Sequence, residues 1–386
     1  MSPNVRQAIF MGYNPISGSV IFNALKDEKC IIMACNTRIV PGVTKGIFRS
    51  AKDLDSAILI ELAKSECNLK GGYTGLTPAE LSMRTYATAG SVGLDIWALH
   101  ADHIGVKKGT VEELNSVKEL IAAQIDAGFT SFAIDASHLF NFDGGDTSEE
   151  LAPNIDATVE LARFIELEMG DSDFGLEVEV GEIGRTGESG MVLTTPDEAV
   201  VFIRSLNDAG IYPQVLAIAN GSTHGNIFDK DGNPIEQIGI DIPRTKEVAK
   251  ALRDNDLDVR IAQHGITGTP RRLIAEQFPH GDIIKGNVGT FWMNLVWDVL
   301  KDEQPELYHR IWDWTITNYS AEGKSDVEVF GKNGKFAIKE FFKELYSLGD
   351  ETISVIEDRA YEEAGEFIRA FKSEGSAEIV REYMRA

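Results

Sequence analysis

Seven histidines occur in 386 residues, and four of them fall in three short polar runs. The runs are His100-Ala101-Asp102-His103, Ser222-Thr223-His224-Gly225 and Gln263-His264-Gly265; His138, His280 and His309 stand apart. Three neutral imidazoles with a fourth position left open are the donor set of a catalytic zinc ion. His103, His224 and His264 are the ligands this pattern selects, because each closes an apolar, β-rich run. Carboxylates accompany them at alternating positions. Glu177 and Glu179 are interleaved with Leu176, Val178 and Val180, and Asp135 lies between Ile134 and Ala136. A period of two sends such carboxylates to one face of a strand. Buried carboxylates are costly without a partner, so a cation should be near. Lys285, on the alternation face of Asn287, is a candidate. It reads either as a cation beside a phosphate or developing charge, or as the structural partner of an inward carboxylate.

Glycines supply a second signal. Strand-like runs continue as His264-Gly265-Ile266-Thr267-Gly268-Thr269-Pro270 and as Gly286-Asn287-Val288-Gly289-Thr290. Glycine lets backbone N–H groups approach an anion, hydroxyls add donors, and a helix start follows each loop. The plain alternative is a tight turn before a helix. A phosphate held by amides needs little net positive charge.

The elements that must position these residues recur at regular intervals. Eight β-rich runs are legible: 30–36, 56–63, 93–103, 131–137, 174–184, 215–221, 258–265 and 282–289. Helix-start signals sit between them. Thr77-Pro78-Ala79-Glu80 and Thr195-Pro196-Asp197-Glu198 each offer Thr at the N-cap, Pro at the first helical position and Glu three residues after the cap. Thr110 with Glu113 predicts a third such box. Eight strands alternating with helices predict an α/β fold, a (β/α)8 TIM barrel, whose site lies at the C-terminal strand ends. No GxGxxG follows the first strand, which weakens a dinucleotide-binding reading. The pattern assigns residues 30–303 to the barrel within one domain of 1–386, with 304–386 as an appended helical region and further helix at the N-terminus. Within that region, Gln304 to Tyr319 and Lys335 to Lys372 read as helical and Ala321 to Gly334 as turns.

Composition narrows the function classes. Hydrophobic residues make up 43%, enough for a large core. Lys and Arg number 37 against 61 Asp and Glu, a formal net charge of -24. Such a body repels nucleic acid and anionic membrane, so neither is expected as a partner. Three cysteines without a CxxC pair argue against a disulfide framework. With no basic start followed by a long apolar core, a cytoplasmic protein is the expectation.

In this order these motifs resemble the metal-dependent class II aldolases that act on ketose phosphates. The resemblance spans about residues 17 to 303 and rests on His100 to His103, Glu177 to Gly181, Ser222 to Gly225, His264 to Gly268 and Asn287 to Thr290. It implies zinc, or another divalent metal, on His103, His224 and His264, with Glu179 able to approach it. It implies Asp102 as acid/base, and Gly225, Gly265, Thr267 and Thr290 around the phosphate, where the glycine loops add Gly268 and Gly289 and Lys285 is the nearby cation read above. Asn287 would contact substrate near the reacting carbons, and a monovalent cation beside the phosphate is a further cofactor it allows. Gly289 stands where fructose bisphosphate members commonly have Asp, as in tagatose-type members. The mobile loop after strand five, Glu182 to Gly190, offers Glu182 or Glu188 as a second acid/base, with Glu188 preferred. The insertion Phe140 to Thr147 departs from the common pattern, and no Arg is identified for a distal phosphate. A homodimer or homotetramer is implied.

The implied reaction is reversible cleavage of a sugar-phosphate substrate, fructose 1,6-bisphosphate before tagatose bisphosphate, to dihydroxyacetone phosphate and an aldehyde such as glyceraldehyde 3-phosphate. Zinc would act as Lewis acid on the ketone, and Asp102 would take the C4 hydroxyl proton. A Schiff-base aldolase would instead need an inward lysine of lowered pKa. Gly71 to Pro78 (GGYTGLTP) resembles the non-catalytic companion subunit of tagatose bisphosphate aldolase, which keeps a partner-stabilising barrel in view. A metal-dependent hydrolase would carry HxH on the first strand, and residues 31–36 hold no histidine.

Overall fold

The computed structural model describes residues 12–183, 186–187, 190–223, 225–229 and 232–386. Eight strands close into a barrel: β1 (Ile32–Asn36), β2 (Ile58–Ala63), β3 (Trp97–Gly105), β4 (Ser131–Asp135), β5 (Gly175–Val180), β6 (Val215–Ile218), β7 (Arg260–Gln263) and β8 (Ile283–Val288). Every neighbouring pair is parallel, and β8 returns to β1. Seven of the eight runs read from sequence contain a whole strand, and the run 93–103 contains β3 except for its last two residues. The barrel is the TIM barrel that alternation of strand and helix dictates.

Among the described residues, ten helices follow the chain to the end of the barrel and one step beyond: α1 (Gly18–Leu25), α2 (Val43–Asp53), α3 (Pro78–Val92), α4 (Val111–Asp126), α5 (Thr147–Met169), α6 (Pro196–Asp208), α7 (Ile242–Asp254), α8 (Arg271–Gln277), α9 (Thr290–Glu303) and α10 (Pro305–Tyr319). Reciprocal capping boxes start α3 at Thr77 and Glu80 and α6 at Thr195 and Glu198. The third predicted box is only half formed. Thr110 caps α4, but the Glu113 carboxylate accepts from the amides of Lys107, Lys108 and Gly109. Three converging amides of the preceding loop hold that carboxylate better than the single cap N–H would.

After α10 come α11 (Asp326–Asn333), the short turns α12 (Ala337–Glu340) and α13 (Phe342–Leu345), α14 (Asp350–Ala370) and α15 (Ser376–Arg385). Two of these correct the sequence reading. The segment read as turns contains α11, started by Ser325 capping the Glu328 amide. Its Gly331 gives room to the Phe228 ring. The chain also turns helical again after Lys372, in α15.

α14 lies along α2 so closely that a Cβ at Gly46 would press on the Glu357 carbonyl oxygen and the Ala360 side chain. Backbone cannot yield as a flexible side chain can. Gly46→Val is therefore expected to cost about 1–3 kcal/mol of stability through overpacking, read as a lower urea midpoint.

The barrel interior changes character along its axis. At the N-terminal end Ile32, Leu59, Ala98, Val215 and Ala262 pack against Ile21, Phe22 and Leu25 of α1, with Ala377 and Val380 of α15 beside them. Ile21, Phe22 and Leu25 are at most 1% exposed, each worth roughly 1.5–3 kcal/mol of burial. This end is sealed. Further along, the inward positions become Glu61, His100, Glu177 and Lys285, all buried, before the C-terminal mouth is reached.

Candidate active site

Two consecutive residues of β3, Asp102 and His103, both line the cavity at the mouth. A regular strand would point them to opposite faces. β3 solves this with a bulge: its pairing with β4 shifts between Ala101 and Ile104, and His103 has φ +39°. Left-handed backbone at a non-glycine residue is strained and is held by its surroundings. His103 thus sits within a strand that runs on to Gly105, and not at the strand's end as its sequence suggested. His264 follows β7 directly and is buried.

The two imidazoles meet, with His103 Nε2 2.9 Å from His264 Nδ1. Each ring's other nitrogen faces carboxylate. His264 Nε2 is 3.0 Å from Glu177 Oε1, and His103 Nδ1 is 3.1 Å from Glu179 Oε2 and 3.5 Å from Asp135 Oδ2. Hydrogen bonding then assigns the tautomers: protons on the carboxylate sides, lone pairs toward the cavity. Two lone pairs at this separation need positive charge between them. In the protein alone a proton meets that need. Burial works against the His103 cation, but Asp102 and Glu179 outweigh it and hold the ring's pKa well above its usual value. Burial, and then the charge on His103, lower that of His264.

Donor atoms of Asp102, His103 and His264 lie within 4.8 Å of one another, as do those of His103, Asp135 and Glu179. Two neutral imidazoles oriented by carboxylates and one adjoining carboxylate fit a divalent cation. The third expected ligand, His224, lies outside the described residues. Its neighbour Gly225 lines the cavity.

Asp102 is pinned from both sides. Asn36 Nδ2 donates to Oδ2 at 2.9 Å and Asn287 Nδ2 to Oδ1 at 3.2 Å. Burial alone would raise its pKa, yet the charges of His103 and Lys285 hold it below the usual carboxylate range. Glu179 goes the other way, raised to about 7 by burial and by Asp135, against the pull of His103. Asn287 also donates to Glu61 at 2.8 Å, while its Oδ1 is buried without a hydrogen-bond partner. A buried acceptor of this kind is expensive unless a ligand donates to it.

Lys285 does not reach the cavity wall. It is 0% exposed, with Nζ 2.7 Å from Glu177 Oε2 and 3.0 Å from Glu61 Oε2. His100 Nε2 accepts from it at 3.2 Å, and His100 Nδ1 faces Ser131 Oγ at 2.7 Å. Lys285 is the cation that the inward glutamates called for, and the phosphate-side placement is corrected: the carboxylates enclose its ammonium below the mouth. Burial opposes its charge, but Glu177 and Glu61 keep its pKa above the usual lysine value. A Schiff base needs the opposite shift.

The cavity measures about 570 Å³, and Gly225, Gly265, Thr267, Asn287, Gly289 and Thr290 line it as the glycine loops suggested. Gly225 and Gly265 have φ of +82° and +70°, a conformation that favours glycine. Gly268 is a correction: it is not among the lining residues, and its carbonyl accepts from the Gln237 amide. Glu182 lines the rim, 3.5 Å from His138 Nε2, whereas Glu188 lies outside the described residues. Asn36, Arg38, Glu66 and Lys335 are among the cavity residues that escaped the sequence reading. Asn36 closes β1 and could have been found as a polar residue at a strand end. Arg38, Glu66 and Lys335 come from loops and the C-terminal region, where no period marks an inward side.

A (β/α)8 barrel with histidines and carboxylates converging at its C-terminal mouth is the frame of many metal-assisted enzymes. The sequence model described as fructose-bisphosphate aldolase class-II matches residues 17–351, and the chain belongs to that family. Among curated proteins, the D-tagatose-1,6-bisphosphate aldolase subunit GatZ of Escherichia coli O157:H7 is 35% identical over 86 residues. That match covers 21% of this chain and 20% of the relative, so only about a fifth of the relative's length is spanned. The fructose-bisphosphate aldolase of Campylobacter jejuni superposes with TM-score 0.62 at 17% identity, covering 94% of this chain and 97% of that one. The YdjI aldolase of Escherichia coli K12 gives 0.57 at 20% identity, covering 94% and 99%. At these identities the likeness is one of fold. No helix among the described residues is long and apolar enough to cross a membrane.

Proposed function

We propose that the chain is a metal-dependent aldolase that reversibly cleaves a ketose phosphate, with fructose 1,6-bisphosphate as the first candidate and dihydroxyacetone phosphate and glyceraldehyde 3-phosphate as products. The observation that carries this reading is the facing pair His103 and His264, each oriented by a carboxylate, beside the pinned Asp102. His103, His264 and His224 would hold zinc or another divalent cation, with Glu179 in reach. Bound there, the cation supplies a Lewis acid for the substrate's ketone.

The chain's own groups do the rest. Asp102, a carboxylate at neutral pH, takes the proton of the C4 hydroxyl in cleavage and returns it in condensation. Asn36 and Asn287 keep its oxygens in place, and Asn287 Oδ1 accepts from a substrate hydroxyl. A loop carboxylate is the second acid/base that protonates the ketone fragment, Glu188 or, on the cavity rim beside His138, Glu182. Gly225, Gly265, Thr267, Gly289 and Thr290 form the phosphate side of the cavity. Self-association as a dimer or tetramer belongs to the same reading, and sedimentation of the purified chain measures it.

The partial likeness to GatZ supports a second reading, a non-catalytic barrel that stabilises a partner subunit. One experiment separates them. The purified chain alone is expected to cleave a ketose mono- or bisphosphate from a panel, to lose that activity in EDTA and to regain it with zinc. Borohydride added with substrate should leave every lysine unmodified, in keeping with the carboxylate-bound Lys285. A trapped lysine adduct would overturn the metal route, and cleavage only with a partner protein would favour the second reading.

A further inference from the structure

The segment Gly71 to Pro78, to which the chemistry above gives no task, folds around one carboxylate. Glu66, in the loop after β2, is buried. The Tyr73 hydroxyl donates to its Oε1 at 2.7 Å, and the Thr74 hydroxyl donates to its backbone carbonyl at 2.7 Å. A Cβ at Gly72, where φ is +53°, would run into that same carbonyl oxygen, so glycine lets the segment close over Glu66. Arg38 Nε also donates to Oε1, at 2.6 Å. The other carboxylate oxygen accepts from the Ala63 amide at 2.9 Å and from Asn36 Nδ2 at 3.2 Å.

The same Asn36 nitrogen donates to Asp102 Oδ2 at 2.9 Å. This construction recurs on the other side of Asp102. Asn287 Nδ2 donates to Asp102 Oδ1 at 3.2 Å and to Glu61 Oε1 at 2.8 Å, and the far oxygen of Glu61 lies 3.0 Å from Lys285 Nζ. One line therefore runs cation, glutamate, asparagine, aspartate, asparagine, glutamate, cation. An amide can turn over and exchange its oxygen for its NH2 with little change of shape. Turned over, either asparagine would set a carbonyl oxygen against two carboxylates at once. The glutamates, fixed at their outer ends by Arg38 and Lys285, thus decide which edge of each amide faces Asp102.

We propose that Glu66 and Glu61 are positioning residues for Asp102: each acts through one asparagine, holding its amide with the NH2 group toward the Asp102 carboxylate. Glu61 has a second effect. With Asn287 Nδ2 engaged by two carboxylates, the buried Oδ1 is the edge left for a substrate hydroxyl. The Gly71 to Pro78 segment then has its task as the clamp on Glu66. The proposal rests on the aldolase reading for what Asp102 does, and its first measurement needs no turnover.

Magnetic resonance of the full chain carrying isotope-labelled asparagine reads the two amides, with Asn36→Ala and Asn287→Ala to assign them. In the natural chain both amides are expected to exchange protons with water slowly, because carboxylates hold their N–H groups. Glu66→Gln should alter the Asn36 signals alone, and Glu61→Gln the Asn287 signals alone. In each variant the cation keeps the glutamine oxygen, the glutamine NH2 faces that of the asparagine, and the asparagine turns over. Tyr73→Phe keeps the charge of Glu66 and is the milder variant; it should shift the Asn36 signals less. Under the proposed function Glu66→Gln should lower kcat about tenfold with KM unchanged, the loss of one charge-assisted hydrogen bond to Asp102. In the Asn36→Ala chain the same substitution should change nothing further. Glu61→Gln should lower kcat similarly and also raise KM, and Lys118→Met, paired with Glu160 on the outer surface, should change neither. Fast exchange of both amides in the natural chain, or a Glu66→Gln loss of kcat that persists in Asn36→Ala, overturns the proposal. A chain that cleaves no ketose phosphate while its amide signals behave as described would count against the aldolase reading alone.

Discussion

Lys285→Met is expected to destabilise the chain by about 3–5 kcal/mol, the usual loss when one partner of a buried ionic group is removed. Met keeps the length and apolar stem of the side chain, so packing changes little. What is lost is the ammonium 2.7 Å from Glu177 and 3.0 Å from Glu61, in a layer that water does not reach. Glu61 already has a pKa well above the ordinary carboxylate range, chiefly through burial and the nearby Asp102 charge, with Lys285 pulling it down. Without the lysine, both glutamates must hold protons in the fold that they shed when unfolded. A group whose folded pKa is raised favours the fold below that pKa, so the penalty should shrink as pH falls from about 8 to about 5. Urea unfolding of the two chains across that range measures it. A penalty under about 1 kcal/mol at neutral pH would mean that the charged layer is not held by Lys285.

His264→Ala should remove both metal and chemistry. The imidazole offers Nδ1 toward His103 and is oriented by Glu177, so its loss takes away one donor and the group that Glu177 orients. Under the proposed function, cleavage should fall on the order of 10³-fold, since a Lewis-acid contribution of several kcal/mol is forfeited. The metal content after dialysis against zinc, counted per chain, should fall with it. A His264→Ala chain that keeps zinc and full cleavage would overturn the assignment. The two substitutions also separate from each other, because Lys285→Met acts on the fold and His264→Ala on a side chain at the open mouth.

Most of the frame was legible because it repeats. Strands and capped helices follow one another with periods the chain displays directly, and the alternation in 176–180 was enough to turn Glu177 and Glu179 inward and to ask for a cation. Glu61 has the same signature between Ile60 and Leu62 and could have been found by the same rule. The bulge at His103 could not, since a shift of register leaves no mark in residue types. Arg38, Glu66 and Lys335 meet across about 300 positions of sequence, and no local period links them. One glycine misled. Gly268 suggested an anion loop, but it serves close approach of the segment that carries Gln237. Without the neighbour in view, a glycine that makes room looks the same as one that bends the chain.

The apolar floor laid by Ile21, Phe22 and Leu25 has a consequence for traffic. Among the described residues the base is packed shut, so what enters over the Arg38 and His103 rim leaves by the same end. Under the proposed function one molecule is split into two inside, and the fragment nearer the base cannot pass until the one nearer the mouth has gone. The order of departure is then a matter of queueing, set by which piece stands nearer the door.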